Sequence, residues 1–264
     1  MTRDVLDDRL IGALHVRALS RAGLHHDPAA SHAVVQAGTV AALIDGRYDG
    51  DLQLRELLER GDLGIGTVQH LDGELIVIDG SAWVAHGDGT VSAVAPSTRT
   101  PFAVVCRFTP DVEHALAGPL DFAALTDSLS ALTPRHEPVV AVRVDGEFRD
   151  LRLRSVHAQQ PPYVPLREVV AHQREWTIEH ARGSVVGFRF PDATSGIEVA
   201  GYHLHFLSDD RTAGGHILDL QVIDAIARVD GAHELAVEVP AGLTLGVPGA
   251  LGDEIAAVEG PTSA

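Results

Sequence analysis

The sharpest chemical spacing in the chain belongs to His203, His205 and His216, within the segment GYHLHFLSDDRTAGGH. Side chains alternate between the two faces of a β-strand, so His203 and His205 project together and can reach one ion. SDDRTAGG then reverses the chain, and His216 opens the next apolar run, HILDLQV, where it can face the same point. Three imidazoles at the mouth of one hairpin make the ligand set of a catalytic Zn2+ with a position left open. The chain carries 15 histidines, so a pair of surface histidines on an edge strand is the competing reading. A third histidine across a glycine-containing hairpin favours metal.

Carboxylates are too plentiful for spacing alone to select any. Glu74 directly follows the Asp72-Gly73 turn, and Glu259 sits in the tail AAVEGPTS. Taken singly, both read as solvated charges. Arg154 ends the run LRLR on the face opposite Leu151 and Leu153, and alone it reads as a surface charge. His25, His26, His70, His86 and His233 share no ligand spacing with a partner and read as surface or satisfied interior residues.

Other machinery is excluded. All 20 basic residues are Arg, and no Lys is present. That removes Schiff-base chemistry, a pyridoxal anchor and a phosphate-loop lysine. No GxSxG elbow, GxxxxGK[ST] or CxxC occurs, and Gly64-Ile-Gly66 does not continue into GxGxxG. The single Cys106, in PFAVVCRF, reads as a buried structural thiol suited to a reducing cytosol. A net charge of −17 with 37 acidic residues repels phosphate backbones and anionic lipid, so neither nucleic acid nor membrane is expected as a partner. No apolar run approaches a membrane span and the N-terminus lacks a signal-peptide core, so a cytoplasmic protein is expected.

The elements that must position these residues are mostly short strands. Asp-Gly pairs at 72–73, 79–80, 88–89 and 145–146 separate β-rich runs and predict hairpins. Asp51 is expected to cap a short helix carrying Leu54, Leu57 and Leu58, Asp121 to cap DFAALTDSLSAL, and LREVVAHQRE to be helical. The Pro- and Gln-rich segment 155–166 is expected to divide the chain. A β-rich domain at 1–155 would carry Glu74 and Arg154, and one at 156–264 the histidine hairpin and the tail. Strands without regular βα alternation predict an α+β protein with two mixed, mainly antiparallel sheets and few helices.

With these blocks assembled, the sequence resembles the α-acetolactate decarboxylase family from about Gln36 to Gly260. The resemblance rests on QAGTVAALIDGRYDGD, GDLGIGTVQHLDGELIVIDG, VRVDGEFRDLRLRSV, QPPYVPLREVVAHQ and GYHLHFLSDDRTAGGHILD. It implies a two-domain α+β fold and Zn2+ held by His203, His205 and His216. It also implies active-site roles for Glu74, Arg154 and Glu259, with the tail returning to the site. The implied reaction is decarboxylation of 2-acetolactate to (R)-acetoin and CO2 through a zinc-stabilised enediolate, in the butanediol branch, by a cytoplasmic homodimer. Departures are small: Glu198, for instance, stands where the family often has Asn. Two other readings remain open at this point. One is a cupin-like oxygenase or isomerase, with Asp209 shortly beyond the HxH pair. The other is an inactive metal-binding β-domain.

Overall fold

The computed structural model describes residues 4–26, 32–133, 137–240 and 245. A nine-stranded sheet runs in the order β1 (Val5–Ile11), β2 (Leu14–Leu19), β16 (Glu234–Glu238), β3 (Ala33–Ala37), β10 (Phe102–Cys106), β5 (Leu63–Thr67), β6 (Glu74–Ile78), β7 (Ser81–Ala85), β8 (Val91–Ala93). Only β16 lies parallel to its neighbours, β2 and β3. A second, five-stranded sheet is antiparallel throughout. Its order is β11 (Val112–Asp121), β15 (Gly214–Ala232), β12 (Val139–Ser155), β13 (Arg174–Phe190), β14 (Gly201–Ser208). A two-residue pair, β4 (Leu52–Gln53) and β9 (Arg99–Thr100), completes the strands described. Among the described residues the α-helices are short: α1 (Arg21–His26), α2 (Val40–Ile44), α3 (Leu54–Leu58), α4 (Phe122–Leu132) and α5 (Leu166–Val170). The expected α+β class with two mainly antiparallel sheets is the class observed.

One core fills the space between the sheets. Ile65, Ile76 and Phe102 from the larger sheet meet Ala141, Val186 and Phe188 from the smaller. A second core, with Phe148 and Phe206 in edge-to-face contact, fills the inside of the smaller sheet and takes Leu125 and Leu129 of α4. Asp121 caps α4 as expected, its carboxylate accepting from Ala124 N at 2.8 Å. A third core on the outer face of the larger sheet receives Leu54 and Leu57 of α3. That helix is capped two residues later than expected. The Gln53 backbone N–H donates to the Glu56 carboxylate at 2.8 Å, so Gln53, not Asp51, opens it.

Asp79-Gly80 is the two-residue hairpin the sequence predicts, with φ of 52° and 71° and Ile78 paired to Ser81. Asp145-Gly146 is not a turn. It lies inside the continuous strand β12, with Gly146 opposite Gly183 on one side and Ala225 on the other. A Cβ on Gly146 would come within 2.3 Å of the Asp224 carbonyl, so glycine serves close strand approach here. Asp145 is held by Arg143, Arg228 and Ser184 instead of by a turn. The helix expected over LREVVAHQRE stops at Val170, because Arg174 onward pairs with β12. Sheet membership does not follow the expected division at 155/156. β11 and β12 join the smaller sheet from before it, and β16 returns to the larger sheet from beyond it.

Candidate active site at the junction of the two sheets

The smaller sheet closes on itself: β14 pairs with β13 along its length and with the start of β15 through His205–His216, Phe206–Gly215 and Leu207–Gly214. The closure covers the second edge of β14 from His205 to Leu207, and it puts the three histidines where the two strands meet. Their ring centroids lie 5.0, 5.0 and 5.4 Å apart. One nitrogen from each falls within 4.8 Å of the others, and all three residues are buried. They are not surface histidines. Ser208, the last residue of β14, is followed by Asp209, whose side chain is largely exposed beside Arg182, away from the imidazoles.

The donor chemistry suits a metal ion. His205 Nδ1 lies 2.9 Å from the Leu75 carbonyl, which can only accept, so Nδ1 carries the proton and Nε2 presents its lone pair. That Nε2 sits 3.2 Å from His203 Nε2. Burial, reinforced by the Arg154 cation, drives the His203 pKa down to about 3 and keeps the ring neutral, the form that ligates. Among the described residues a second group, His32, Asp111 and Asp230, also clusters, but its histidine is half-exposed. Its carboxylates are engaged by Thr109 N and Gly231 N, which makes it a clasp between chain segments.

Glu74 arrives from the other sheet. Gly73 ahead of it adopts φ 87°, and a Cβ there would press within 2.3 Å of the Ala85 carbonyl. β6 then starts in register with Thr67 and Ala85 and aims the carboxylate across the junction. Glu74 Oε2 stands 3.4 Å from His205 Nε2, with its side chain only 12% exposed. Arg154 is buried on β12 and is the direct cross-strand partner of His216. The solvated readings of Glu74 and Arg154 therefore fail, because both positions lie at the covered junction of the two sheets. Glu259 lies outside the described residues.

Glu74, Arg154 and His203 share one cavity that encloses about 480 Å3, open solvent at its mouth included. Val40, Leu43, Leu71 and Phe102 form an apolar wall facing these polar groups. Thr67, which sequence reasoning did not single out, also lines it and donates its hydroxyl to the Gly73 carbonyl at 2.8 Å. Gln173 was likewise missed; it accepts from Arg154 at 3.0 Å. Neither carries a spacing signal, since each meets the site only through sheet packing. Cys106 is buried away from this cavity, its thiol pKa pushed well up by burial, so it is a core residue and not a nucleophile.

Comparison with known proteins gives the family. The family described as Alpha-acetolactate decarboxylase matches residues 34–244. Alpha-acetolactate decarboxylase of Methylococcus capsulatus is 41% identical over 209 residues, covering 79% of this chain and 80% of that protein. The protein of that name from Bacillus subtilis strain 168 is 35% identical over 226 residues, covering 86% and 88%. The crystal structure of the Bacillus subtilis strain 168 alpha-acetolactate decarboxylase superposes with a TM-score of 0.82 at 34% identity, covering 87% of this chain and 100% of that one. The chain belongs to the α-acetolactate decarboxylase family.

Proposed function

We propose that this protein is a Zn2+-dependent carboxy-lyase that converts 2-acetolactate to acetoin and CO2. The observation that carries the reading is one cavity lined by Glu74, Arg154 and His203, the last belonging to a buried three-imidazole group whose His205 stands 3.4 Å from the Glu74 carboxylate.

The substrate is a β-keto acid, and loss of CO2 leaves an electron pair on the carbon that bore the carboxylate. That pair needs a sink. With no lysine in the chain, an imine is unavailable, and the ketone oxygen must accept the charge. His203, His205 and His216 would hold the ion, and Zn2+ bound there supplies Lewis-acid polarisation of that oxygen. Arg154 would grip the departing carboxylate, for which a planar two-pronged donor is well shaped. The apolar wall at Leu43, Leu71 and Phe102 would take the methyl groups and keep bulk water off the reacting carbon. Glu74, mostly shielded from solvent, would hold a proton and deliver it to one face of the carbon, then recover it from water. Glu259 would assist as donor or orienter, as the family resemblance implies.

We also read the protein as a cytoplasmic homodimer serving an acetoin-forming butanediol branch. The lone cysteine is buried as a thiol, which suits a reducing compartment. Leu6 and Leu10, exposed on the outermost strand β1, suit a contact with a second copy. Among the described residues no helix is long and apolar enough to cross a membrane.

The test is direct. Protein loaded with Zn2+ should release acetoin and CO2 in equal amounts from 2-acetolactate, lose that activity to a chelator and regain it with Zn2+. Metal-loaded, folded protein that yields no acetoin overturns the reading.

A further inference from the structure

Arg154 does not enter the cavity unsupported. Its terminal NH1 donates to Gln173 Oε1 at 3.0 Å, and Gln173 Nε2 donates to Glu175 Oε1 at 2.8 Å. The backbone fixes both ends of this chain of contacts. Gln173 N donates to the Val170 carbonyl at 3.0 Å, locking the turn between α5 and β13, while Glu175 is the register partner of Arg154 across β12 and β13. Burial increases along the line, from exposed Glu175 through half-buried Gln173 to buried Arg154.

A group placed between a guanidinium and a carboxylate must accept on one side and donate on the other. A primary amide does both and remains uncharged. A glutamate at the same position would also accept from Arg154, but as an ion pair, and it would meet Glu175 with like charge. Arg154 would then present less net positive charge to an anionic substrate, and the bound carboxylate would have to compete with a permanent one.

We infer that Gln173 is a positioning residue that aims Arg154 at the substrate carboxylate without setting a negative charge of its own beside the guanidinium, and that Glu175 sets the orientation of the Gln173 amide. The inference rests on the proposed function only for the identity of the carboxylate. It adds a requirement that the reading does not contain, namely a neutral amide outside the cavity wall.

The experiment compares the parent with Gln173→Glu, Gln173→Ala and Glu175→Gln. It measures acetoin formation from pH 5 to 8, together with calorimetric binding of 2-hydroxyisobutyrate, an unreactive α-hydroxy carboxylate. Gln173→Ala should raise KM about tenfold, the value of roughly one charge-assisted hydrogen bond, while kcat changes far less. Gln173→Glu, whose carboxyl beside the guanidinium is ionised throughout this range, should raise KM more than Gln173→Ala at every pH. Glu175→Gln, at an exposed position, should fold normally and raise KM by a smaller factor. The unreactive carboxylate should lose affinity in the same order. Equal KM and carboxylate affinity across the set overturns the inference. A pH-independent loss of kcat accompanied by a lower melting temperature also overturns it, because that is a packing defect. If the parent forms no acetoin yet Gln173→Glu and Gln173→Ala weaken carboxylate binding in that order, the positioning role stands and the decarboxylase reading falls.

Discussion

His205 donates its Nδ1–H to the carbonyl of Leu75, 130 residues earlier, at 2.9 Å. One bond thus ties the histidine on the smaller sheet to the strand of the larger sheet that carries Glu74. The backbone of β6 fixes the imidazole tautomer, and the neighbouring residue on β6 supplies the carboxylate that faces the other ring nitrogen, Nε2. The site can assemble only when both sheets are packed.

Loss of any one histidine should release the metal, but the stability costs should differ. His203→Ala, His205→Ala and His216→Ala are each expected to lose stoichiometric Zn2+ and nearly all activity. His205→Ala also abandons the bond to Leu75 and should unfold about 1 kcal/mol more easily than His203→Ala when both are metal-free. Metal analysis and urea unfolding read the two effects separately. Stoichiometric zinc on an active His205→Ala protein would refute the ligand assignment.

Metal should stabilise the folded chain by linkage. At about a hundredfold excess over its dissociation constant, Zn2+ is expected to add about 2.7 kcal/mol, seen as a higher melting temperature that a chelator reverses. The three alanine variants should show no such rise. An equal rise in parent and variants would mean that the ion binds elsewhere.

Glu74→Gln preserves volume and hydrogen bonding but cannot move a proton. The fold should survive, since the strand pairings of β6 are backbone contacts. Turnover should fall by about 10²–10⁴-fold. Parental kcat in this variant would remove Glu74 from the chemistry.

Glu259, outside the described residues, is tested in the same way. Glu259→Gln, or deletion of everything after Gly252, is expected to leave zinc content and fold largely intact while cutting turnover about 10²–10⁴-fold. Parental rates from pH 5 to 8 would make Glu259 a bystander.

Away from the site, Glu238 should shape the pH dependence of stability. Its burial on β16 pushes the carboxyl pKa up, with Arg21 at 3.3 Å opposing in part. Above the ordinary glutamate value of 4.5, the native state retains a proton that the unfolded chain has released. Stability therefore falls as pH rises through that window and levels off beyond the raised folded value. Glu238→Gln removes this titration, so the variant should gain on the parent as pH rises from 4.5 and then hold its lead. A parent–variant difference that stays flat from pH 4 to 8 would contradict this.

What the sequence determined is whatever depends on near neighbours. Alternation along a strand is enough to put His203 and His205 on one face, and a glycine-containing reversal is enough to return His216 beside them. Asp79-Gly80 makes its hairpin and Asp121 its cap because each acts over a few residues. The tertiary structure decided the rest. Asp145-Gly146 carries the same local signal as Asp79-Gly80, yet it is drawn into a 17-residue strand because partners on both sides satisfy its backbone. The residues after Val170 leave helix for strand for the same reason. Arg154 and Glu74 look like surface charges in the chain because nothing nearby in sequence buries them. Their cover comes from the junction of the two sheets; Leu75 meets the site through that packing, and Gln173 through the pairing of β12 with β13. Burial, charge environment and ring orientation are set by distant neighbours, and no local pattern encodes those.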